Sequence, residues 1–232
     1  MSIEREKQIL EILLRDKEVT VKQLAKALFI SEPSIRRDLL NLEKQSLIKR
    51  IHGGAVLEET PQSKNRIPFL IREYEQSEAK AIIAQKAIEL INDNDIVFLD
   101  GSTSCYYLIP FLATKNNLTV ITSGVKALSK LAEYGISTIS TGGTLLNTSL
   151  SLVGEEAYKT IETYNASIAL FSCRGVTEDG FLTDISPEEN NVRKKMIKQS
   201  KKSYLLCAND KFDKSYFHIL CHKDEIDGII HE

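Results

Sequence analysis

The stretch "SEPSIRRDLLNLEKQSLIKRIHGGAV", Ser31 to Val56, decides the reading of the N-terminal part of the chain. Ser31 stands at an N-cap position, where a hydroxyl residue satisfies amides that have no partner inside the helix. Pro33 follows in the first turn, where a missing N–H costs nothing. Ile35, Leu39 and Leu42 fall at i, i+4 and i+7 and define one buried face. Ser34, Arg36, Arg37 and Asn41 are left largely off that face. "LIKRIHGGAVL" then predicts a strand, a tight Gly53-Gly54 turn and a second strand.

Working outward, "VTVKQLAKALFI" reads as a shorter helix capped by Thr20, with Leu24, Ala25 and Leu28 facing inward. A tight connection through Phe29 and Ile30 joins it to the Ser31 cap. Before it, Ile3, Ile9, Leu10, Leu13 and Leu14 recur at helical spacing. Helix, short helix, sharp turn, helix and β-wing is the order of a winged helix-turn-helix. Such a module places the N-terminal residues of its second helix against bases and phosphates in the major groove. Ser31 and Ser34 are then candidate phosphate donors, and Arg36 and Arg37 candidates for phosphate or guanine. Arg50 and His52 on the wing could reach the neighbouring backbone or minor groove, and Lys22 on the shorter helix joins the same candidate set. Basic runs are usually solvated helix faces. It is the cap, proline, apolar spacing and wing together that favour double-stranded DNA.

Charge is divided unevenly. Residues 1–57 carry 11 Lys and Arg against 8 Asp and Glu, a net of +3. The rest of the 30 basic and 32 acidic residues, 19 against 24, leave residues 58–232 at −5. A basic small part on an acidic larger part implies two tasks, with the polyanion partner on the basic one. No apolar run is long enough to span a bilayer, so no membrane partner is expected. "MSIEREKQIL" has no apolar signal core, which points to a cytoplasmic location. Cys105, Cys173, Cys207 and Cys221 form no CxxC pair and read as buried reduced thiols. Neither a metal site nor a cofactor is expected.

Residues 58–76, "EETPQSKNRIPFLIREYEQ", read as a linker between residues 1–57 and a second domain over 77–232. "SEAKAIIAQKAIELIND" predicts a helix with a serine cap. The apolar runs "IVFLD", "LTVIT", "ISTIST", "SIALFSC", "SYLLCAN" and "DGIIH" then alternate with helical stretches. That alternation predicts a mostly parallel, Rossmann-like α/β sheet with helices on both faces.

Ligands of such sheets bind beyond the carboxyl ends of the strands. Here those ends carry Asp100, Gly101, Ser102, Thr103 and Ser104, then Thr122 and Ser123, then Gly142 and Gly143, then Arg174 and Gly175, then Lys211. Asp184 precedes a helix bearing Arg193, Lys194 and Lys195. A Gly-Ser-Thr loop at a helix start offers free amides to an anion, glycines admit a ligand close to the backbone, and Lys211 and Arg174 add charge. Asp100 would accept from sugar hydroxyls. Each feature alone is an ordinary turn or a solvated cation. Five strand ends of one character favour a phosphate-bearing ligand.

The N-terminal stretch resembles the DNA-binding signature of DeoR-type bacterial transcriptional regulators, on "SxxSIRRDLxxLE" and "RxHGGA" at matching spacing. The remainder is similar to the sensor domain of the same regulators, on "FLDGST", "LTVITS", "TGG", "FSCRGV", "GFLTD", "VRKKMI" and "DKFD". That domain is related to ribose-5-phosphate isomerase. The resemblance implies an operator-binding regulator, a repressor of a sugar operon by default, whose effector is a phosphorylated sugar acting as inducer. Helix-turn-helix proteins usually bind paired half-sites, so a homodimer or homotetramer is expected. The competing class is a sugar-phosphate isomerase or deaminase with a basic appendage. Asp100, Asp179 and Asp184 could serve such an enzyme, but no histidine falls in the pocket loops, and no acid–base pair stands out.

Overall fold

Two helices of the N-terminal unit begin at caps that the sequence marks, one made by side chains and one by backbone. Thr20 Oγ1 accepts from the Gln23 amide, while Gln23 Oε1 accepts from the Thr20 amide at 2.9 Å. This reciprocal box starts α2 (Val21–Leu28). The Ser31 carbonyl accepts from the Ile35 amide at 3.1 Å, which starts α3 (Glu32–Lys44). The computed structural model describes residues 2–44, 47–57 and 68–232. The side chain of Ile3 and residues 58–67 of the expected linker lie outside the described residues. The chain divides into two compact units, Met1–Glu75 and Gln76–Glu232.

In the first unit α1 (Ser2–Asp16) precedes α2 and α3, and Ile9, Leu10, Leu13, Leu24, Ile35, Leu39 and Leu42 form the core. The expected apolar faces are the buried ones. The same core takes Ile71 from a short helix, α4 (Phe69–Arg72), so part of the segment expected to link the domains is folded with this unit. Asp38 on α3 is 1% exposed and bonded to Arg5 of α1, with Nη2 to Oδ1 at 2.7 Å. The wing has three strands, β1 (Glu18–Thr20), β2 (Ile48–Ile51) and β3 (Gly54–Leu57), in the order β1-β3-β2. Ile51 pairs with Gly54, so the turn is His52-Gly53, with φ +81 at Gly53, and not Gly53-Gly54. Gly54 belongs to β3 and lies opposite Thr20.

The second unit opens with α5 (Ser77–Ala87). Its cap residue is Gln76 in the left-handed region, and Ser77 is already helical, which corrects the expected serine cap. The six apolar runs form β4 (Ile96–Leu99), β5 (Thr119–Thr122), β6 (Ser137–Ser140), β9 (Ile168–Phe171), β12 (Ser203–Leu206) and β14 (Gly228–Ile230). They build one parallel sheet in the order β14-β12-β9-β4-β5-β6. Helices α6 (Thr103–Leu112) and α7 (Val125–Glu133) join α5 on one face; α8 (Glu155–Glu162) and α9 (Pro187–Lys198) cover the other. Alternate residues divide accordingly. Val97 and Leu99 pack with Ile83 and Leu108, whereas Phe98 packs with Ala157, Val192 and Met196.

Two smaller antiparallel elements lie beside this sheet. One is a hairpin, β7 (Thr144–Leu146) with β8 (Ser151–Val153). The other is a three-stranded sheet of β10 (Gly175–Val176), β11 (Phe181–Asp184) and β13 (His218–His222). Among the described residues, no helix is long and apolar enough to cross a membrane.

The wing carries a steric test. A Cβ on Gly54 would lie 2.3 Å from the Val19 carbonyl oxygen across the β1–β3 pair, so neither strand could stay in place. Gly54→Ala should therefore destabilise the protein by about 1–3 kcal/mol, the usual cost of overpacking. Chemical denaturation of the full chain measures it.

Candidate functional site

The strand order places the site. From β4 the chain adds β5 and β6 outward on one side, then returns to add β9, β12 and β14 on the other. The order reverses between β4 and β9, and a crevice opens at their carboxyl ends. Asp100 ends β4, and its Oδ2 accepts from the Ser172 amide just beyond β9 at 3.1 Å. Its Oδ1 accepts from the Ser102 amide at 2.9 Å. The two strands are thus tied at the crevice by one buried carboxylate.

The charge that balances Asp100 comes from α9. Arg193 donates through Nε to Asp100 Oδ2 at 2.9 Å and through Nη1 to Asp184 Oδ2 at 2.8 Å. Nη1 also reaches Asn190 Oδ1 at 3.1 Å, and Nη2 lies 3.8 Å from Glu189. Arg193, Asp100 and Asp184 are 5%, 1% and 4% exposed. Burial opposes charge on each partner, and the ion pairs outweigh it. Burial would push the Asp100 carboxyl up, but Arg193 and the Ser102 amide hold it below the usual carboxylate range. Burial would likewise lower the Arg193 pKa, and Asp184, Asp100 and Glu189 raise it well above the ordinary arginine value.

Asp100 and Asp184 are thereby committed within the protein. The expectation that Asp100 faces sugar hydroxyls is corrected: its oxygens face a guanidinium and two backbone amides. Neither group is placed as the free base that an isomerase would need. Asp179 is exposed on a turn, with its carbonyl 2.7 Å from His222 Nε2.

Two expected hydroxyls are also occupied. Ser102 caps α6, accepting from the Cys105 amide at 3.2 Å, and Thr122 accepts from the Gly124 amide at 3.1 Å. Thr103, Ser104 and Ser123 are buried nearby. Three glycines expected to admit a ligand admit the chain itself. A Cβ on Gly101 would lie 2.2 Å from Ser151 Oγ, one on Gly143 2.4 Å from the Val153 carbonyl, and one on Gly175 2.4 Å from the Lys214 carbonyl. Gly142 adopts φ +65. The β7–β8 hairpin is what approaches Gly101 and Gly143. It is held over the ends of β4 and β5 by Val125 N–H to the Leu150 carbonyl at 2.9 Å and Leu152 N–H to the Ser123 carbonyl at 2.7 Å. Ser151 Oγ also donates to Glu189 at 3.1 Å. Asp100, Gly101, Ser123, Ser151, Val153, Glu189, Val192 and Arg193 close around what is left of the crevice there, with no room for a water molecule.

On the β9–β12 side a cation is present. Lys211 Nζ donates to Ser172 Oγ at 2.8 Å; that hydroxyl donates to the Leu206 carbonyl at 2.7 Å and lies 3.5 Å from Ser104 Oγ. Lys211, Ser172 and Ser104 therefore meet beside the start of α6. Arg174 is half-buried on the loop between β9 and β10, and its amide donates to the Thr183 carbonyl. Arg193, Glu189, Ser151 and Ser172 escaped the candidate set. The i, i+4 spacing of Glu189 and Arg193 was the available signal, but Lys194 and Lys195 carry the same charge beside Arg193, and sequence alone does not say which of the three turns inward. The four cysteines are free and buried.

In the first unit Arg36, Arg37, Arg50, His52 and Lys22 are all exposed. Ser31 Oγ and Ser34 Oγ lie 3.0 Å apart at the start of α3. Arg36 is 3.4 Å from Glu32, and Arg50 is 3.8 Å from Glu43. These are loose, solvated pairs that a phosphate can displace.

Arg193→Met should cost about 3–5 kcal/mol, because Asp100 and Asp184 would be left buried without a counterion. The pH dependence has a definite sign. In the native protein the Asp100 pKa is depressed, so its contribution is present above the unfolded pKa and lost as pH falls through the folded one. In the variant, burial alone raises the folded pKa, so stability instead improves as pH falls from 7 towards 5. Denaturation at the two pH values distinguishes the signs.

Comparison with known proteins agrees with both halves. Residues 5–61 match the DeoR-like helix-turn-helix domain, and residues 75–232 match the DeoR C terminal sensor domain. An uncharacterized HTH-type transcriptional regulator, YulB of Bacillus subtilis, is 34% identical over 95% of this chain and 85% of its own length. The L-fucose operon activator of Escherichia coli is 30% identical over 99% and 95%. The HTH-type transcriptional repressor GlcR of Bacillus subtilis is 31% identical over 98% and 87%. Among solved structures, the translation initiation factor eIF-2B of Pyrococcus horikoshii OT3 shares the fold, at TM-score 0.52 and 14% identity over 100% of this chain and 89% of that one. Ribose 5 phosphate isomerase A of Neisseria gonorrhoeae aligns at TM-score 0.45 and 19% identity, over 61% and 56%. The sequence relatives are named as regulators of transcription, and this chain is a regulator rather than an enzyme. On both domain matches and the near-complete alignment to these relatives, the chain belongs to the DeoR family of HTH-type transcriptional regulators.

Proposed function

We propose that the protein is a cytoplasmic repressor of a carbohydrate operon, released from its operator by a phosphorylated sugar. Residues 1–57 bind DNA, residues 58–76 link, and residues 77–232 sense the effector. The relatives named above include both an activator, of an L-fucose operon, and a transcriptional repressor. Repression is the simpler mechanism, since a bound protein blocks a promoter by occupancy alone. Homodimers or homotetramers would match paired half-sites.

The observation that carries the effector reading is the meeting of Lys211, Ser172 and Ser104 beside the N-terminus of α6. A phosphate placed there would meet a cation, hydroxyls and amides at the positive end of a helix dipole. Gly101 to Ser104 and Lys211 are its proposed ligands, with Arg174 and Gly175 flanking from the next loop. Thr122, Ser123, Gly142 and Gly143 support the wall that the hairpin closes, and Asp100 and Asp184 fix Arg193. For DNA, Ser31, Ser34, Arg36 and Arg37 at the start of α3 are the proposed groove contacts. Lys22, Arg50 and His52 are the proposed flanking contacts.

A thermal-shift screen against aldose and ketose phosphates tests the sensor. An effector at a hundred times its Kd should add about 2.7 kcal/mol of stability. No stabilisation by any phosphorylated sugar would refute this class of effector. Lys211→Ala should abolish the effector's influence on DNA binding while leaving DNA affinity nearly unchanged. A response that survives removes this lysine from the site. For DNA, selection from a random-sequence duplex library supplies the operator. Arg36→Ala or Arg37→Ala should weaken binding to it by about 1–3 kcal/mol if the arginine reads guanine. Two variants that both bind normally would overturn the assignment of α3. Coupling is reciprocal, so operator DNA should change effector affinity by the same factor.

A further inference from the structure

Phe29 occupies the turn between α2 and α3 in a conformation that its side chain disfavours. Its φ and ψ are 54 and 43, in the left-handed region, where a bulky residue is an outlier and glycine or asparagine is preferred. The turn itself demands this geometry. The amides of Phe29 and Ile30 both donate to the Ala25 carbonyl, closing the end of α2 in the manner that usually recruits glycine. The side chain is also 95% exposed, so burial returns nothing for the strain. A backbone cost and an exposed aromatic ring at one position are a double penalty to isolated folding, and such outliers mark functional positions.

The surroundings indicate what covers the ring. Lys22 on α2, then Ser31, Arg36 and Arg37 at the start of α3, are exposed on either side of this turn in sequence. In a helix-turn-helix the first helix crosses the phosphate backbone and the second enters the major groove. The turn joining them passes the groove rim, where the apolar groups on offer are deoxyribose faces and thymine methyls. We propose that Phe29 is a DNA-contacting residue that packs its ring on an apolar patch at the rim of the operator major groove. The inference rests on the reading of α3 as the groove helix.

The probe is a duplex enriched by the full-length protein from a random-sequence library, tested against Phe29→Gly and Phe29→Asn. Both substitutes accept the left-handed conformation, and asparagine does so without the flexibility of glycine. Expected is a loss of affinity of about five- to twentyfold for both variants, with an unchanged salt slope because no phosphate contact is removed. The thermal midpoint should hold or rise by about 1–4 °C as strain is relieved. Replacing thymine by deoxyuracil in the duplex separates the two sources. A methyl contact weakens wild type and spares the variants; a sugar contact leaves both insensitive. Wild-type affinity in either variant overturns the proposal, as does a lowered midpoint in both, which would make Phe29 a structural residue. Failure of the library to enrich any duplex would instead strike the groove-helix reading, before Phe29 is tested.

Discussion

A guanidinium with almost no water around it stands at the reversal of strand order in the larger unit. Arg193 reaches Asp100 at the end of β4 and Asp184 at the end of β11, and lies 3.8 Å from Glu189 on its own helix. Asp100 in turn receives the amides of Ser102, which caps α6, and of Ser172, just beyond β9. One cation therefore sets the relative positions of two parallel strands, the start of α6, the start of α9 and the antiparallel sheet. Such a group is costly to bury and gives little net stability compared with a well-packed apolar core. What the Arg193–Asp100 pair supplies is register: no apolar side chains could accept from two backbone amides, as Asp100 does, and donate to a further carboxylate, as Arg193 does. The crevice depends on that register, because a shift of β9 against β4 would separate Ser172 from Ser104.

The smaller unit uses its charges in the opposite way. Its buried pair, Arg5 with Asp38, points inward and locks α1 to α3, while Arg36, Arg37, Arg50 and Lys22 stay in solvent. Fixing the helix by an internal pair leaves its outward cations free for another partner. The wing is held equally firmly, since the close contact of Gly54 with β1 ties the hairpin to the residue that caps α2. A DNA-reading surface needs that rigidity, because a mobile cation loses side-chain entropy on binding that a positioned one has already lost.

Much of this was legible in the sequence, and the limits have physical causes. The inner strands β4, β5, β9 and β12 are largely buried and read as apolar runs, and the less buried edges β6 and β14 were identifiable by their alternation with helical stretches. The strands of the hairpin and of the small sheet, such as "TLL" and "FLTD", are short and mix polar with apolar residues, so no periodicity marks them. The helix-turn-helix was legible because its apolar spacing, caps and proline all agree. The turn of the wing was displaced by one residue because two adjacent glycines carry the same signal, and only the β1 pairing distinguishes their roles. Asp100 has its partner 93 residues away, and sequence spacing carries no information about a contact of that range.

The glycine contacts have a consequence for the direction from which a ligand could enter. Ser151 fills the space above Gly101 and the end of β8 fills that beside Gly143, so the hairpin closes the crevice over β4 and β5. The open side is then towards β9 and β12, where Lys211 and Ser172 lie. The charges divide in the same sense. Around Arg193 three carboxylates face one cation, which makes the closed side repulsive to an anion, whereas Lys211 and the amides of α6 make the other side attractive. In the proposed reading, a phosphate is therefore drawn to the Lys211 side, and the closed Glu189–Ser151 side holds Arg193 and the hairpin in place.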